Sequence, residues 1–331
     1  MVESHDTVAG QSRMASLSPA PVMAESRQVS RSSAAPAAAL LFAFGAVALW
    51  ATNALVGKTL LAHYAVSQVQ FLQFCGAALV FALIRFFPSA LLPQEEKGSV
   101  TLAAYAVGFI GLVGTMVLQY IAFAAMPVIE ANLVAYTWPL MLAAAVIVLG
   151  RPRRPVLLGL TAAAGFAGVA MVISGGSARG WSVAGTAAGY LAAFGSALCM
   201  AFYSLVVGRL GVAPERLLLP SALIGVALTF AWCLHDGTAR LVGADLLLGL
   251  YLGAGPMGLG YYFWSRAAKL DQGGRIAVVA YLTPIASTLL LALSGESLSL
   301  TAVAGAVLVI GSCLAVGIES MEAKDDAQDD G

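Results

Sequence analysis

The chain has 331 residues, of which 60% are hydrophobic and only 10% are charged, and its mean hydropathy is +0.87. Soluble domains carry roughly 25% charged residues, so this composition excludes a water-soluble fold of this length. The formal net charge is zero, which gives no indication of nucleic-acid binding. The apolar runs are about 20 residues long and unbroken, whereas barrel strands alternate over about 10 residues. The sequence therefore predicts an all-α membrane protein.

The cysteines and histidines give no sign of a disulfide or a metal site. All four cysteines fall inside apolar runs and no two form a CxxC pair, which is typical of buried free thiols; they are Cys75, Cys199, Cys233 and Cys313. The three histidines lie far apart in the sequence. We expect no metal and no cofactor.

The two ends of the chain differ from its middle. Residues 1–36 are rich in Ser, Ala and Pro, and they contain no apolar core before Ala37. This predicts a disordered cytoplasmic tail and not a cleaved signal peptide. Residues 319–331 are acidic and predict a second disordered cytoplasmic tail.

Between the tails, the apolar runs predict ten membrane spans joined by short loops. The predicted spans are residues 37–56, 67–87, 102–126, 129–149, 155–174, 183–207, 217–235, 243–265, 274–294 and 299–318. With the N-terminus in the cytoplasm, 14 of the 17 lysines and arginines fall on the cytoplasmic side. The positive-inside rule therefore predicts a multi-pass protein of the bacterial inner membrane with both termini in the cytoplasm.

Two motifs recur at equivalent places in the two halves of the chain. Val56-Gly57-Lys58 ends span 1, and Val207-Gly208-Arg209 ends span 6. Ala135-Tyr136-x-x-Pro139 in span 4 recurs 145 residues later as Ala280-Tyr281-x-x-Pro284 in span 9. These matches predict two five-helix repeats, residues 37–175 and 176–318. Because five is odd, the second repeat enters the membrane inverted, an arrangement common in secondary transporters.

Span 4 begins with polar side chains, which are costly to bury in hydrocarbon. Such side chains indicate a candidate functional site by default. Glu130 has two interpretations: a first-turn acid favoured by the helix dipole, or a gate that contacts an amino group or takes a proton. Pro139 and Pro284 each remove a helix hydrogen bond. They are either structural kinks or a pair of hinges beside the substrate path.

Aromatic and amide side chains supply the candidate substrate contacts. The aromatic candidates for the cavity lining are Trp50, Tyr136, Trp138, Tyr203 and Tyr281. Tyr203 and Trp264 also suit an interfacial belt. The candidate contacts to a polar head group are Asn53 and Gln119, although buried amides also link helices.

The sequence contains no HExxH, Walker, Asp-rich or GxSxG motif, so we do not expect an enzyme. An inverted duplication is also hard to explain in a receptor or an anchor. Transport is the function that these observations favour. A channel and an integral membrane enzyme remain as weaker alternatives.

At Glu130-x-x-x-Val134-x-Tyr136-x-Trp138-Pro139 the chain resembles the drug/metabolite transporter superfamily, in its ten-helix branch. Within that branch it is most similar to the bacterial aromatic amino acid exporters. Three further matches carry the resemblance, which spans about residues 37–318: Leu49-Trp50-Ala51-Thr52, Tyr190-Leu191-Ala192-Ala193-Phe194 and Tyr281-x-Thr283-Pro284-x-x-Ser287.

The resemblance implies ten helices around a central cavity and export of amino acids, aromatic ones included. One departure is that many relatives carry Gly-Glu after both span 4 and span 9, while this chain has Gly150-Arg151 and Gly295-Glu296. We expect an exporter of amino acids that works by alternating access, with a small molecule and the lipid bilayer as partners. The alternative is a proton-coupled exporter of drugs or other small metabolites. The sequence leaves the oligomeric state open, a monomer included.

Overall fold

The structure is a computed structural model, and it describes residues 37–86, 100–126, 128–150, 154–174, 186–237, 243–271, 276–293, 300–301, 303–312 and 315. The predicted tails, residues 1–36 and 319–331, lie outside the described residues. So do Cys313, Arg151 and the Gly295-Glu296 pair. The described ranges are helical and contain no β-strand.

Eight α-helices make up the first half of the described chain. They are α1 (37–50), α2 (Asn53–Leu61), α3 (Val66–Phe86), α4 (Leu102–Phe109), α5 (Thr115–Ala125), α6 (Val128–Ala135), α7 (Trp138–Gly150) and α8 (Pro155–Ser174). A π-helical stretch, Ile110–Gly114, joins α4 to α5 without a loop, and we name it the first π segment.

Seven α-helices follow in the second half. They are α9 (Ala187–Val207), α10 (Pro214–Asp236), α11 (Ala244–Leu252), α12 (Gly260–Leu270), α13 (Ile276–Val279), α14 (Leu282–Leu293) and α15 (Val303–Ser312). The second π segment, Gly253–Leu259, joins α11 to α12. Within the described ranges, the helices fall into ten consecutive segments that correspond to the ten predicted spans.

Six of the segments that the structure describes are long and apolar enough to cross a membrane. They are Ala37–Leu61, Val66–Phe86, Leu102–Ala125, Ala187–Val207, Pro214–Asp236 and Asp245–Leu270. Shorter apolar helices stand at spans 4, 5 and 10, and span 9 is divided between α13 and α14. The all-helical membrane fold is therefore confirmed.

Two predicted span ends were too early. Span 1 was predicted to end at residue 56, but the helix continues to Leu61 because Leu60 packs into the core with 1% exposure. Span 8 was predicted to end at residue 265, before Arg266, but α12 continues through it. Arg266 is only 6% exposed, and its guanidinium lies 5.9 Å from the Phe42 ring centroid.

Spans 4 and 9 are interrupted at equivalent places. α6 ends at Ala135 and α7 begins at Trp138, while α13 ends at Val279 and α14 begins at Leu282. Pro139 has no N–H to donate to the carbonyl four residues earlier, and Pro284 likewise has none for Ala280. Each proline therefore stands in the first turn of a new helix, where a missing donor costs least.

α3 packs against α10 and the second π segment. Gly76 and Gly253 face each other so closely that a Cβ on Gly253 would collide with the Gln73 carbonyl. On the opposite side, the Phe74 ring fills the space beside Gly225. Small residues thus allow backbone-to-backbone packing, as is common between membrane helices.

Candidate functional site

Three tryptophans from three helices meet in the middle of the bundle. The Trp264 ring lies 5.4 Å from Trp50 and 5.2 Å from Trp138, measured between centroids. The Trp138 and Trp264 rings are nearly perpendicular, an arrangement that aromatic quadrupoles favour. Trp264 is fully buried and donates its indole N–H to the Ser204 hydroxyl at 2.8 Å.

Two tyrosines extend this group. The Tyr261 ring lies 6.0 Å from Trp50 and 5.8 Å from Tyr203. The Tyr203 and Ser265 hydroxyls form a 2.6 Å hydrogen bond. We call Trp50, Trp138, Tyr203, Tyr261 and Trp264 the aromatic cluster. Tyr203 and Trp264 are fully buried, so neither faces the headgroup region as a belt residue does.

The two π segments hold the aromatic cluster by their backbone carbonyls. The Tyr261 hydroxyl donates to the Gly111 carbonyl at 3.2 Å, and the Trp50 indole N–H donates to the Pro256 carbonyl at 3.0 Å. A π turn shifts the helical hydrogen-bond register, and such turns are frequent at functional sites. Positions 111 and 256 are 145 residues apart, the same separation as between Ala135 and Ala280.

A second buried group consists of amides and one hydroxyl. The Tyr120 hydroxyl donates to Asn53 Oδ1 at 3.1 Å, and Gln73 Nε2 lies 3.4 Å from the Tyr120 oxygen. Gln70 Nε2 donates to Gln73 Oε1. We call Asn53, Gln70, Gln73 and Tyr120 the amide cluster. Its four side chains come from α2, α3 and α5, and each is at most 8% exposed.

Tyr136 and Tyr281 lie apart from both groups. Tyr281 is fully buried and packs with Val169 and Val309, and Tyr136 packs against the same residues. The Tyr281 ring lies so close to Gly165 that a Cβ there would be 2.5 Å from it. These two predicted site residues therefore sit between spans 4, 5, 9 and 10.

Most of the predicted site residues lie in three places: the aromatic cluster, the amide cluster and the contacts around Tyr136 and Tyr281. Trp50, Trp138 and Tyr203 meet in the aromatic cluster, and Asn53 belongs to the amide cluster. Gln119 is half-buried on α5, next in sequence to Tyr120. The backbone of Glu130 is helical, but its side chain lies outside the described residues.

Tyr120, Tyr261 and Gln73 were not among the predicted substrate contacts, and the role of Trp264 was left open. A usable signal was present for Tyr261 and Trp264, because they directly follow the Gly-Pro-rich stretch Gly253–Leu259. In the part of the chain that the structure describes, no group of three His, Cys, Asp or Glu residues could hold a metal ion.

A cavity lies at one end of the bundle, between α7, α9, α12 and the start of α13. It is narrow, with a volume of about 20 Å³ for the centres of water-sized molecules. Trp264 and Ser204 line it together with Leu142 and Arg209. Arg85, Arg209 and Lys269 stand at helix ends on this side, which we call the arginine end.

The opposite end is closed by contacts between the two halves of the chain. The Tyr64 hydroxyl donates to Asp245 at 2.8 Å, and the Ser67 hydroxyl donates to Asp236 at 2.7 Å. The hydrogen bond to Asp245 is the main cause that raises the pKa of Tyr64 above its ordinary value. We call this side the Tyr64 end.

Long apolar helices define a multi-pass helical membrane protein, and aromatic and amide clusters are buried between them. A model of the EamA-like transporter family matches residues 37–174 and again residues 187–318. The chain belongs to the EamA-like transporter family, and it is a transporter and not an enzyme.

Two similar proteins agree with this assignment. The aromatic amino acid exporter YddG of Ancylobacter novellus is 30% identical over 285 residues, which cover 84% of this chain and 96% of that protein. A crystal structure with 27% identity has a TM-score of 0.73 and matches 84% of this chain and 98% of its own. Membrane-spanning helices and a bacterial transporter relative support a multi-pass inner-membrane protein.

Proposed function

We propose that this protein exports amino acids with aromatic or other apolar side chains from the cytoplasm. The observation that carries the proposal is the aromatic cluster, in which Trp264 contacts both Trp50 and Trp138 inside the bundle. Aromatic faces offer large apolar and stacking surfaces for a ring-bearing side chain. The similarity to an aromatic amino acid exporter points to the same substrate class.

The polar head of the substrate needs a different environment. Asn53 stands three residues after Trp50, so span 1 contributes to the aromatic cluster from α1 and to the amide cluster from α2. We assign Asn53 and Gln119 to the zwitterionic head, with Glu130 as gate or head-group contact. Tyr136 and Tyr281 line the path at the two broken helices. Trp50, Trp138 and Tyr203 contact the side chain.

The proposed mechanism is alternating access by two inverted five-helix repeats. Three features recur at a spacing of 145 residues and support this: the prolines, the carbonyls at 111 and 256, and the close glycines at 108 and 253. The helix breaks recur at a spacing of 144 residues. Gly108 approaches the Leu217 carbonyl of α10, while Gly253 approaches the Gln73 carbonyl of α3. In this mechanism Pro139 and Pro284 are the hinges.

We assign the arginine end to the cytoplasm, which puts both termini there. Arg85, Arg154, Arg216 and Lys269 stand at helix ends on that side, in agreement with the positive-inside rule. The Tyr64 end carries the acidic residues Asp236 and Asp245 instead.

Counterflow in liposomes tests the substrate class. Purified protein is reconstituted into vesicles preloaded with unlabelled phenylalanine, and uptake of labelled phenylalanine is followed. Preloading should accelerate uptake, and leucine, tyrosine and tryptophan should compete. The proposal is wrong if none of the amino acids supports counterflow.

An imposed pH gradient tests the proton-coupled alternative. Uptake that follows the gradient and is lost in Glu130→Gln would favour that alternative.

A further inference from the structure

Three fully buried polar side chains stand at three-residue intervals along α3. They are Ser67, Gln70 and Gln73, and we call them the α3 polar track. Residues three apart on an α-helix are neighbours on its surface, and Gln70 points about 60° away from each of the other two. At a rise of about 1.5 Å per residue, the track spans about 9 Å of helix. It runs from the amide cluster, which contains Gln73, to the Tyr64 end, where Ser67 lies.

The outer two members of the track bind other helices, and the middle member does not. The Ser67 hydroxyl donates to Asp236 of α10 at 2.7 Å and so joins the two halves of the chain. Gln73 Nε2 lies 3.4 Å from the Tyr120 oxygen and joins α3 to α5. Gln70 donates only to Gln73, within its own helix. Among the described residues, Gln70 therefore links α3 to no other helix.

The side-chain carbonyl of Gln70 is a buried acceptor that no other group uses. Its Oε1 has no hydrogen-bond partner among the described residues. Burial of an amide without a partner costs free energy, and buried polar groups are normally paired. Because Gln70 forms no hydrogen bond between helices, a role in holding the bundle together does not explain this cost. A ligand that donates to Oε1 would offset it.

We propose that Gln70 is a specificity-determining substrate contact that recognises the ammonium group of an amino acid. Its Oε1 accepts a hydrogen bond from the ammonium when the Tyr64 end opens and the head group moves along the α3 polar track. Such a bond is charge-assisted and stronger than one between neutral groups. The inference rests on the proposed export of amino acids, and it adds a contact between the amide cluster and the outer side.

Two substitutions separate the acceptor from the shape of the side chain. Gln70→Met keeps an unbranched side chain of similar length and has only a weak acceptor. Gln70→Glu keeps an oxygen and adds a charge that attracts an ammonium group.

Gln68→Glu is the matched control on the same helix. Gln68 is also buried and its Nε2 also has no partner, but it points about 200° around α3 from Gln70. Its Oε1 accepts from the backbone N–H of Ala65, and a glutamate oxygen keeps that bond. The control thus repeats the same change of charge away from the α3 polar track.

Competition in counterflow measures the selectivity of the full-length protein. Uptake of labelled phenylalanine is inhibited with phenylalanine, with 3-phenylpropionate, which lacks the ammonium group, or with phenethylamine, which lacks the carboxylate. Wild type should prefer phenylalanine over 3-phenylpropionate about tenfold or more, since tenfold corresponds to one modest charged contact. Gln70→Met should lose about tenfold of this preference and keep the preference over phenethylamine. Gln70→Glu and Gln68→Glu should both keep the preference over 3-phenylpropionate.

The outcomes separate this contact from the proposed function. If a Gln70→Met protein transports too slowly, titration calorimetry with the same three ligands gives the same ratios. Unchanged ratios in Gln70→Met would overturn the inference, leave Gln70 as a buried amide that holds a water only, and let amino acid export stand. A lost preference over phenethylamine instead would also overturn it, because Gln70 would then face the carboxylate. If wild type shows no counterflow with any amino acid, both the contact and the proposed function are wrong.

Discussion

The indole N–H of Trp50 donates a hydrogen bond to the Pro256 carbonyl at 3.0 Å, which joins α1 to the second π segment. Trp50→Phe keeps a ring beside Trp264 but removes the donor, and Trp50→Ala removes both. A buried polar group left without its partner costs about 1–3 kcal/mol. We expect Trp50→Phe to lower the unfolding temperature in detergent. We expect Trp50→Ala to lower both the unfolding temperature and phenylalanine counterflow.

Phe194→Leu is the control for Trp50, because Phe194 lies on α9 with 46% exposure, on the outer face of the bundle. It should leave both the unfolding temperature and counterflow near wild type. Wild-type counterflow in well-expressed Trp50→Ala and Trp138→Ala would contradict an aromatic substrate surface.

The contact between Gly76 and Gly253 predicts a large cost for a single methyl group. In Gly253→Ala the new Cβ meets the Gln73 carbonyl, which is backbone and has little room to move. Overpacking of this kind costs about 1–3 kcal/mol or more. We expect a clear fall in the unfolding temperature, measured by thermal denaturation in detergent.

Gly311→Ala supplies the matched comparison, because nothing lies within 4 Å of a Cβ at that helical position. Alanine is the better helix former, so this variant should be neutral or slightly stabilised. Equal melting of Gly253→Ala and Gly311→Ala would mean that α3 and the second π segment are not in backbone contact.

Tyr120 and Gln119 are neighbours in the sequence with different surroundings, and their variants should separate stability from binding. Tyr120→Phe removes the hydroxyl that donates to Asn53 and should destabilise the protein by about 1–3 kcal/mol. Gln119→Ala should instead raise the phenylalanine concentration for half-maximal counterflow with little change in melting. A Gln119→Ala protein that melts lower but binds as wild type would make Gln119 a structural residue.

This pair shows how far the sequence predicts the site. The polar residues of α2, α3 and α5 stand out in an apolar chain, so a polar cluster could be expected. Successive residues on an α-helix point about 100° apart, so the choice between Gln119 and Tyr120 depends on the rotation of α5. That rotation is set by the packing of α5 on α9 and α3.

The helix breaks and the π segments also differ in how well the sequence predicts them. Pro139 and Pro284 lack a donor by their covalent structure, so the helix breaks after Ala135 and Val279 follow from the sequence. The second π segment contains Pro256, which also lacks a donor, whereas the first π segment has no proline in its apolar, glycine-rich run. The first π segment becomes visible only where Tyr261 donates to the Gly111 carbonyl.

The broken helices predict a kinetic effect of proline replacement. Pro139→Ala and Pro284→Ala supply the missing N–H and favour continuous helices across the two breaks. If the breaks are hinges, each variant should lower the maximal rate of counterflow severalfold while substrate affinity changes little. The control is Pro220→Ala, because Pro220 stands inside the continuous helix α10. Equally slow counterflow in Pro220→Ala and Pro139→Ala would contradict a role of the helix breaks as hinges.

At the Tyr64 end, the hydrogen bond from Tyr64 to Asp245 predicts a pH-dependent contribution to stability. The bond holds the proton on the hydroxyl and raises the pKa of Tyr64 above its ordinary 10.0. Below pH 10 the tyrosine is protonated in both the folded and the unfolded protein, so the full contribution is present. As the pH rises through the raised folded pKa, the hydroxyl ionises beside a carboxylate and the contribution is lost.

The measurement is the difference in unfolding temperature between wild type and Tyr64→Phe across pH. The difference should be constant and positive from about pH 6 to 9 and should shrink above about pH 10, since other tyrosines titrate equally in both proteins. Asp245→Asn keeps a neutral acceptor, so its bond from Tyr64 should be weaker and its decline should begin nearer the ordinary pKa. A difference that grows above pH 10 would contradict a bond donated by Tyr64.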